Sequence, residues 1–326
     1  MNTTITQLKP GDKFSGALMV RSVETRLDKK GNSYQDVYFG DQSGEINGKI
    51  WAANPKLNAG DIVRIEGLIE EFQGRHQLRI GRCDPVSSPE DDTLRAQLIP
   101  SAPEPVKVMR DKIRETLASF RSEELRKLTT KLLNDAGAEL NWFPAAQRMH
   151  HAELGGLLHH MTSMLTVAEY LCVAYPFLNR ELLLAGVIIH DLAKIKEMKA
   201  DSRFGTVSDY SRDGLLVGHI NRGMADLSEA AAALGMAPDN ELKVLLEHMI
   251  LSHHGIPEYG SPRLPMFPEA EALHWIDTLD ARMNQMQSVQ DRTPPGGFSE
   301  RIASLDNRRM YHPVFTADPS NGETHP

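Results

Sequence analysis

The first part of the chain alternates apolar and polar residues over short segments. In residues 61–70, Val63 and Ile65 would face one side of a strand while Arg64 faces the other. This two-residue period is typical of a half-buried β-strand. Similar segments between residues 13 and 80 are separated by turn sequences rich in Gly, Asn and Asp. The pattern predicts about five strands in a small closed barrel.

From residue 106 onward the apolar positions recur every three or four residues, which indicates helices as far as about residue 305. We expect helices over residues 154–173, 180–196, 241–254 and 269–286. Asn179 is suited to cap the start of the second of these helices, and Gly255 the end of the third. This part of the chain is predicted to be an all-α helical bundle.

The two patterns predict two folded units of different class. The first is a small all-β barrel of the OB type, a fold that binds oligonucleotides on one strand face, and the second is the helical bundle. Residues 85–105 are rich in proline and charge, so they are expected to form a linker. The predicted division is residues 1–84 for the barrel, 85–105 for the linker, 106–312 for the helical domain and 313–326 for a disordered tail.

The amino-acid composition is that of a globular protein, and its most informative property is the distribution of charge along the chain. The 326 residues are 40% hydrophobic and 25% charged, with a net charge of -8. Residues 1–82 hold 12 basic and 10 acidic side chains, so a slightly basic front unit precedes an acidic remainder. Two distant cysteines, the absence of a basic and apolar leader and the absence of a long apolar run predict a cytoplasmic protein outside any membrane.

The helical part carries histidines and aspartates suited to divalent metal ions. His160 shares a helical face with apolar residues, whereas His159 lies with Thr162, so His160 is predicted to point inward. His190 and Asp191 fall within an apolar stretch, where an unpaired carboxylate would be costly and would need a cation. Imidazole with carboxylate is a ligand set for transition metals, and it indicates metal-assisted hydrolysis.

Further candidates lie on later segments of the helical part. The candidates are His219, the pair His253 and His254, and the three residues His274, Asp277 and Asp280. The histidine pair ends a predicted helix, and the last three residues share a helical face at three-residue spacing. One of the two aspartates is expected to complete the metal site. The remaining side chains of that face would orient the ligating imidazoles.

Aromatic and basic side chains of the barrel are candidates for contact with a nucleic-acid strand. Bases stack on aromatic rings, and basic side chains follow the phosphates. The wider set is Tyr34, Tyr38, Phe39, Trp51, Phe72, Arg21, Arg26, Lys29, Lys30 and Lys49. The alternative is that most of these aromatics are core residues and most of the charges form a solvated face. The residues predicted to bind substrate are Arg21, Lys30, Tyr38 and Trp51.

Several stretches resemble the HD-domain metal-dependent phosphohydrolases, whose pattern is a histidine, a His-Asp pair, further histidines and an aspartate. The main stretches are Ile-His-Asp-Leu-Ala-Lys at 189–194, Val-Gly-His-Ile at 217–220, Ser-His-His-Gly at 252–255 and the segment 273–281. With residues 143–146, 150–152, 155–158 and 301–306, the chain is similar to bacterial YhaM-type 3′→5′ exoribonucleases, which join an OB-fold to an HD domain. The resemblance covers roughly residues 10–312.

The resemblance implies a site for two divalent ions. One ion would be bound by His160, His190, Asp191 and Asp277, and the other by His219, His253 and His254, with Asp191 bridging the two. Asp280 matches a nearby supporting residue in the family, and His274 is a second candidate for that role. The identity of the metal is left open among Mn, Co, Fe, Ni and Mg.

Other residues are candidates for catalysis or substrate contact. Lys194, one helical turn beyond the His-Asp pair, would meet the charge that develops on the phosphate oxygens. Asp191 is the other predicted catalytic residue. His150 and His151 would contact substrate or donate a proton, with structural roles as the alternative. Arg263 would bind a phosphate, and its alternative is a solvated loop charge.

These features predict a metal-dependent 3′→5′ exonuclease that shortens single-stranded RNA, with single-stranded DNA left open as an alternative substrate. Two alternatives are kept: an HD-domain phosphohydrolase of nucleotides or cyclic nucleotides, and a nucleic-acid-binding protein without catalysis. A small substrate would leave the barrel without a role, and a purely binding protein would not need the full ligand set. Product length and oligomeric state, a homo-oligomer included, are left open.

Overall fold

The computed structural model describes residues 4–28, 30–51, 56–72, 75–86, 94, 97–147, 151–202 and 205–315. Its first unit is a barrel of β1 (Lys13–Leu27), β2 (Ser33–Gly40), β3 (Glu45–Trp51), β4 (Ile62–Phe72) and β5 (Arg75–Pro85). The barrel closes in the order β1-β2-β3-β5-β4, with β3 and β5 parallel and the other neighbours antiparallel. This is an OB-type arrangement of five strands, so the predicted fold of the front unit is confirmed.

Strand β4 shows why the alternating sequence forms this barrel. Val63 and Ile65 are buried in the barrel core, whereas Arg64 between them is exposed. The register with β5 shifts between Glu66 and Gly67. A Cβ on Gly67 would lie 2.6 Å from the carbonyl oxygen of Arg79, so the close approach of the two strands requires glycine.

The rest of the described chain is mainly helical, as predicted. Its helices are α1 (Val106–Ala118), α2 (Glu123–Asp135), α3 (Gly156–Ala174), α4 (Arg180–Ile189), α5 (Lys194–Glu197), α6 (Arg212–Leu216), α7 (Gly218–Ala233), α8 (Glu241–Ser252) and α9 (Pro268–Arg292). Helix α4 lies at the centre and contacts α2, α3, α8 and α9. Asn179 caps it by accepting a hydrogen bond from the backbone of Leu182. No helix in the described part of the chain is long and apolar enough to cross a membrane.

Two details of the helical prediction are wrong. The helix predicted over residues 180–196 ends at Ile189, and a turn through His190 and Asp191 precedes α5. Neighbouring residues of a helix point about 100° apart, so ending the helix lets both side chains face one centre. Two short hairpins, one between α5 and α6 and one after α9, also depart from an all-helical domain. They are formed by β6 (Met198–Asp201) with β7 (Thr206–Tyr210) and by β8 (Phe298–Ile302) with β9 (Arg308–Tyr311).

A small apolar cluster joins the barrel to the helical part. Met19 and Ile62 of the barrel pack against Leu98 and Ile99, and Leu154 reaches this cluster from the loop before α3. The backbone of Leu154 also makes two hydrogen bonds with the segment that follows Ile99. The predicted linker, residues 85–105, therefore packs against the barrel through Leu98 and Ile99. The domain limits predicted from the sequence stay a prediction, and most of the predicted tail lies outside the described residues.

Candidate metal centre

Several segments of the helical domain converge on one centre. His160 lies on α3, and Asp277 lies in the middle of α9. His190 and Asp191 lie in the turn after α4, His219 at the start of α7, and His253 and His254 in the turn after α8. Their donor atoms form overlapping groups within 4.8 Å, so the structure brings the predicted ligands together. His160 and His253 are fully buried, and Asp191 is 2% exposed. Most of these residues lie at helix ends, where the chain turns toward a common point.

Asp191 lies in the middle of this centre, and its two carboxylate oxygens face different imidazoles. Its Oδ2 lies 3.3 Å from Nε2 of His190 and 3.6 Å from Nε2 of His160. Its Oδ1 lies 3.5 Å from Nε2 of His219 and 3.7 Å from Nε2 of His253. Ligands that each lie about 2 Å from one ion are about 3 Å or slightly more from one another. The spacings on each side of the carboxylate therefore suit an ion.

The helices themselves orient two of these histidines. Nδ1 of His190 donates to the carbonyl of Val187 at 2.9 Å, and Nδ1 of His253 donates to the carbonyl of Ile250 at 2.7 Å. Both acceptors lie in the last turn of a helix, where carbonyls have no partner within the helix. Each bond places the ring proton on Nδ1 and leaves the lone pair of Nε2 directed at the centre.

Glu197 has the same effect on His219, although it was not among the predicted residues. Its Oε1 accepts hydrogen bonds from Nδ1 of His219 at 2.9 Å and from the backbone of His219 at 3.0 Å. Burial raises the pKa of Glu197, but the bonds from His219 outweigh burial and lower the pKa below its usual value. Glu197 therefore stays ionised. In the sequence it looks like any surface acid, because its partner lies on another helix.

The two aspartates of α9 take different positions around His160. Oδ1 of Asp277 lies 3.2 Å from Nε2 of His160, and Oδ2 of Asp280 accepts from Nδ1 of the same ring at 2.7 Å. Ser163, also absent from the predicted set, donates to the other oxygen of Asp280. Burial lowers the pKa of His160, but the two carboxylates outweigh it and raise the pKa to about 9. The geometry thus places Asp277 in the centre and Asp280 behind His160.

Several buried donor atoms of the centre have nothing to bond to. Among the described residues, Nε2 of His190, His219 and His253 and Oδ1 of Asp191 make no hydrogen bond. Burial lowers the pKa of His253 well below its usual value, which keeps this imidazole neutral. Neutral imidazoles and carboxylates bind divalent transition metals, and ions would satisfy atoms that are costly to bury alone. The residues present therefore fit a metal centre.

Lys194 is the basic residue that α5 brings beside the bridging carboxylate. Its Nζ lies 2.7 Å from Oδ2 of Asp191, and its side chain is 11% exposed. Burial lowers the pKa of Lys194, but the carboxylates of Asp191, Asp277 and Glu197 together outweigh burial and raise the pKa. Lys194 therefore carries a positive charge at the edge of the centre.

An aromatic face covers the outside of β2 and β3. Tyr38 and Trp51 are 42% and 53% exposed there. The Trp51 ring centroid lies 4.8 Å from that of Tyr34, and Nζ of Lys49 lies 5.6 Å from the centroid of the Tyr34 ring. Lys30 is exposed to solvent and lies in the turn between β1 and β2. Exposed rings with cations are what single-stranded nucleic acid requires of a binding surface.

Other residues of the predicted strand-binding set lie elsewhere. Phe39 is fully buried in the barrel core, so the idea that it stacks on bases is wrong. Nη2 of Arg21 donates to the carbonyls of Asp41 at 3.1 Å and Leu98 at 3.0 Å. This geometry disfavours a phosphate contact by Arg21, because the guanidinium is already engaged within the fold. Lys29 lies outside the described residues.

Three predicted substrate-binding residues belong to the helical domain. His150 lies outside the described residues. His151 is buried, and its Nε2 lies 2.8 Å from Oδ2 of Asp280. Arg263 is exposed on the loop that follows the histidine pair. The contacts of these residues with substrate stay predictions, and burial disfavours a direct contact for His151.

Known proteins resemble this chain over nearly its whole length. The family model described as HD domain matches residues 157–282. The 3'-5' exoribonuclease YhaM of Bacillus subtilis (strain 168) is 37% identical over 310 residues, which cover 94% of this chain and 96% of that protein. The 3'-5' exoribonuclease YhaM of Halalkalibacterium halodurans is 34% identical over 323 residues, or 98% of this chain and 99% of that protein. The second OB-fold domain of replication protein A from Methanococcus maripaludis matches 27% of this chain and 97% of that domain, with 20% identity and a TM-score of 0.23.

Gly255 sets the position of the histidine pair that precedes it. It has a φ of +80°, and an added Cβ would overlap the imidazole of His274. Nδ1 of His274 donates to the backbone carbonyl of His253 at 2.9 Å, so His274 contacts the turn itself, and its predicted role in orienting a ligating imidazole stays a prediction. We expect Gly255→Ala to displace the turn and weaken metal binding at least about 10-fold. Competition with a coloured chelator measures the affinity.

Gly137→Ala is the matched control for this substitution. Gly137 also has a left-handed φ, of +72°, but nothing lies within 4 Å of an added Cβ. Because the ψ of Gly137 is -161°, a conformation that almost only glycine adopts, Gly137→Ala should cost about 1–3 kcal/mol of stability and leave metal affinity unchanged. If the two variants bind metal equally well, Gly255 does not position the histidine pair.

Proposed function

Because this chain belongs to the family of YhaM 3'-5' exoribonucleases, we propose that it shortens single-stranded RNA from the 3′ end by hydrolysing phosphodiester bonds. Two relatives with this name match at least 94% of the chain, the barrel included. Their names support the exonuclease over the two alternatives considered from the sequence. A nucleotide phosphohydrolase would have no evident use for the aromatic face, and a purely binding protein would have none for the metal centre.

The observation that carries the proposal is the position of Asp191 between two sets of imidazoles. In this proposal the centre would hold two ions, one through His160, His190 and Asp277 and the other through His219, His253 and His254, and Asp191 would serve both. Bound ions supply a Lewis acid for the phosphoryl oxygens and an activated water for hydrolysis. The choice among Mn, Co, Fe, Ni and Mg depends on availability as much as on ligands.

The protein's own side chains supply charge and order around this reaction. The ammonium of Lys194, held beside Asp191, is positioned to meet negative charge on a phosphate oxygen. Asp280 and Glu197 hold His160 and His219 from behind, so these ligands need little rearrangement. Burial of the centre strengthens each of these electrostatic interactions, since little water is present to screen them.

The barrel is proposed to hold the RNA strand on its aromatic face. Tyr38 and Trp51 would stack on bases, and Lys30 and Lys49 would meet phosphates. Stacking depends little on base identity, which suits an enzyme that must move along any sequence. The preference for RNA over DNA and the cytoplasmic location are part of the same proposal.

Loss of the bridging carboxylate tests the proposal directly. We expect the wild-type protein, in a panel of Mn, Co, Fe, Ni and Mg, to degrade a 5′-labelled single-stranded RNA progressively from its 3′ end, and the matching DNA more slowly. Asp191→Ala should abolish degradation, because both ions lose a ligand. Asp226→Ala is the control, since Asp226 pairs with the surface residue Lys196. Turnover confined to mononucleotides would falsify the exonuclease proposal.

Lys194 and Lys196 allow a matched test of the proposed catalytic lysine. Lys194→Ala should lower kcat about 100-fold with little loss of bound metal, because it removes charge stabilisation and not a ligand. Lys196, two residues later, points outward to Asp226, and Lys196→Ala should leave kcat near wild type. Single-turnover degradation rates and metal content measure both effects. Equal rates for the two variants would assign Lys194 a structural role.

The aromatic face is tested by removing one ring. Trp51→Ala should raise KM for a long RNA about 10-fold, the loss expected for one stacked base, and leave kcat nearly unchanged. The control is Tyr170→Ala, because Tyr170 is 74% exposed on α3 and outside the barrel. An unchanged KM for Trp51→Ala, measured by initial rates at several RNA concentrations, would exclude this ring from strand binding.

A further inference from the structure

A second group of potential metal ligands lies beside the candidate metal centre and has no part in it. It consists of His151 and Glu153 in the loop before α3 and of His159 in the first turn of that helix, and it is called the loop cluster below. Sequence periodicity assigned His159 no role because it lies off the inward face that carries His160. Packing brings all three side chains together outside that face.

The donor atoms of the loop cluster form a compact triangle. Nδ1 of His151 lies 3.0 Å from Nδ1 of His159, and Nδ1 of His159 lies 2.7 Å from Oε1 of Glu153. The third side, from Nδ1 of His151 to Oε1 of Glu153, is 3.6 Å. Three atoms at these separations can all lie about 2 Å from one point, which is the bonding distance of imidazole and carboxylate to zinc.

Nδ1 of His159 has two close neighbours, Nδ1 of His151 and Oε1 of Glu153. An imidazole nitrogen carries either one hydrogen or one lone pair. If Nδ1 of His159 donates to Glu153, its single hydrogen is used. Nε2 of His151 lies 2.8 Å from the Asp280 carboxylate, and Nδ2 of Asn284 lies 3.4 Å from Nδ1 of His151. Nδ1 of His159 therefore lies against both His151, at 3.0 Å, and Glu153, at 2.7 Å, and a cation bound by the two imidazoles and the carboxylate would satisfy all three donor atoms together.

The surroundings of the loop cluster suit an ion. The carboxylate of Asp280 behind His151 is the partner that metal-bound histidines commonly have on their second nitrogen. Burial raises the pKa of Glu153, but bonds from His151 and His159 outweigh burial and lower the pKa to about 2, so the group is a carboxylate. The side chains of Glu153 and His159 are 18% and 22% exposed. An ion could therefore enter from solvent and keep open coordination positions.

We propose that His151, Glu153 and His159 form a third site, separate from the centre at Asp191, for a divalent transition metal. The set of two nitrogens and one oxygen suits Zn, Co, Ni or Mn. The two regions are linked through Asp280, whose Oδ2 is bonded by His151 on one side and by His160 on the other. The site is a property of the folded chain and does not depend on the exonuclease activity.

Metal stoichiometry tests this proposal. The full-length protein is stripped with chelator, dialysed against Zn²⁺, and its bound zinc is counted by mass spectrometry. We expect three equivalents for the wild type, two for the double variant Glu153→Gln and His159→Gln, and one for Asp191→Ala. Retention of one ion in Asp191→Ala separates this site from the proposed catalytic pair. The same zinc content in the double variant and the wild type would overturn the third site.

A matched control uses another histidine and glutamate that lie side by side. Glu71 and His76 are exposed, paired residues of β4 and β5. The double change Glu71→Gln and His76→Gln should leave three equivalents bound. If the loop-cluster variant does not fold, anomalous diffraction from wild-type crystals grown with zinc decides the question. A peak among the three side chains supports the site, and a clean map at that point in zinc-loaded crystals rejects it.

Discussion

The structure of the helical domain depends on the burial of one carboxylate. Asp191 is 2% exposed at the end of α4, the helix around which the others pack. Burial raises its pKa, but Lys194 and His190 outweigh burial and hold the pKa well below its usual value, so the charge is present inside the fold. Such a charge is tolerable only with cations and hydrogen bonds around it. Four further segments converge on Asp191, and each brings a histidine or an aspartate. These side chains provide the polar surroundings that a buried carboxylate requires.

Rigidity of the centre comes from bonds on the far side of each ligand. Helix-end carbonyls hold His190 and His253, and carboxylates hold His160 and His219. In each case the bonded Nδ1 leaves Nε2 directed at Asp191. The ligand side chains therefore lose their conformational freedom during folding, and the binding of ions needs little further loss of side-chain entropy. The groups that provide this order are spread over several helices, so the geometry of the centre depends on the packing of the whole domain.

The two units of the chain divide the work of a strand-cutting enzyme. The barrel presents rings and cations on an exposed face, where stacking and phosphate contact are independent of sequence. The helical domain presents a buried, highly charged centre, to which we assign the hydrolysis of the phosphodiester. Leu98, Ile99 and Leu154 join the units through an apolar contact, so the aromatic face and the candidate metal centre belong to one packed structure. Membership of the YhaM family over nearly the whole chain agrees with this joint use.

The sequence by itself determined the class of each unit and the chemistry of the site. Two-residue alternation predicted the barrel because it records which side of a strand is buried, and helical phase selected His160 over His159 for the same reason. Periodicity carries no information on contacts between distant segments. The family resemblance assigned Asp277 to the metal and Asp280 to a supporting position. Only the tertiary structure brought Glu197 to His219, turned Arg21 inward and ended α4 at Ile189. These features depend on how helices and strands pack, since their partners are set by distances in space between residues far apart in the chain.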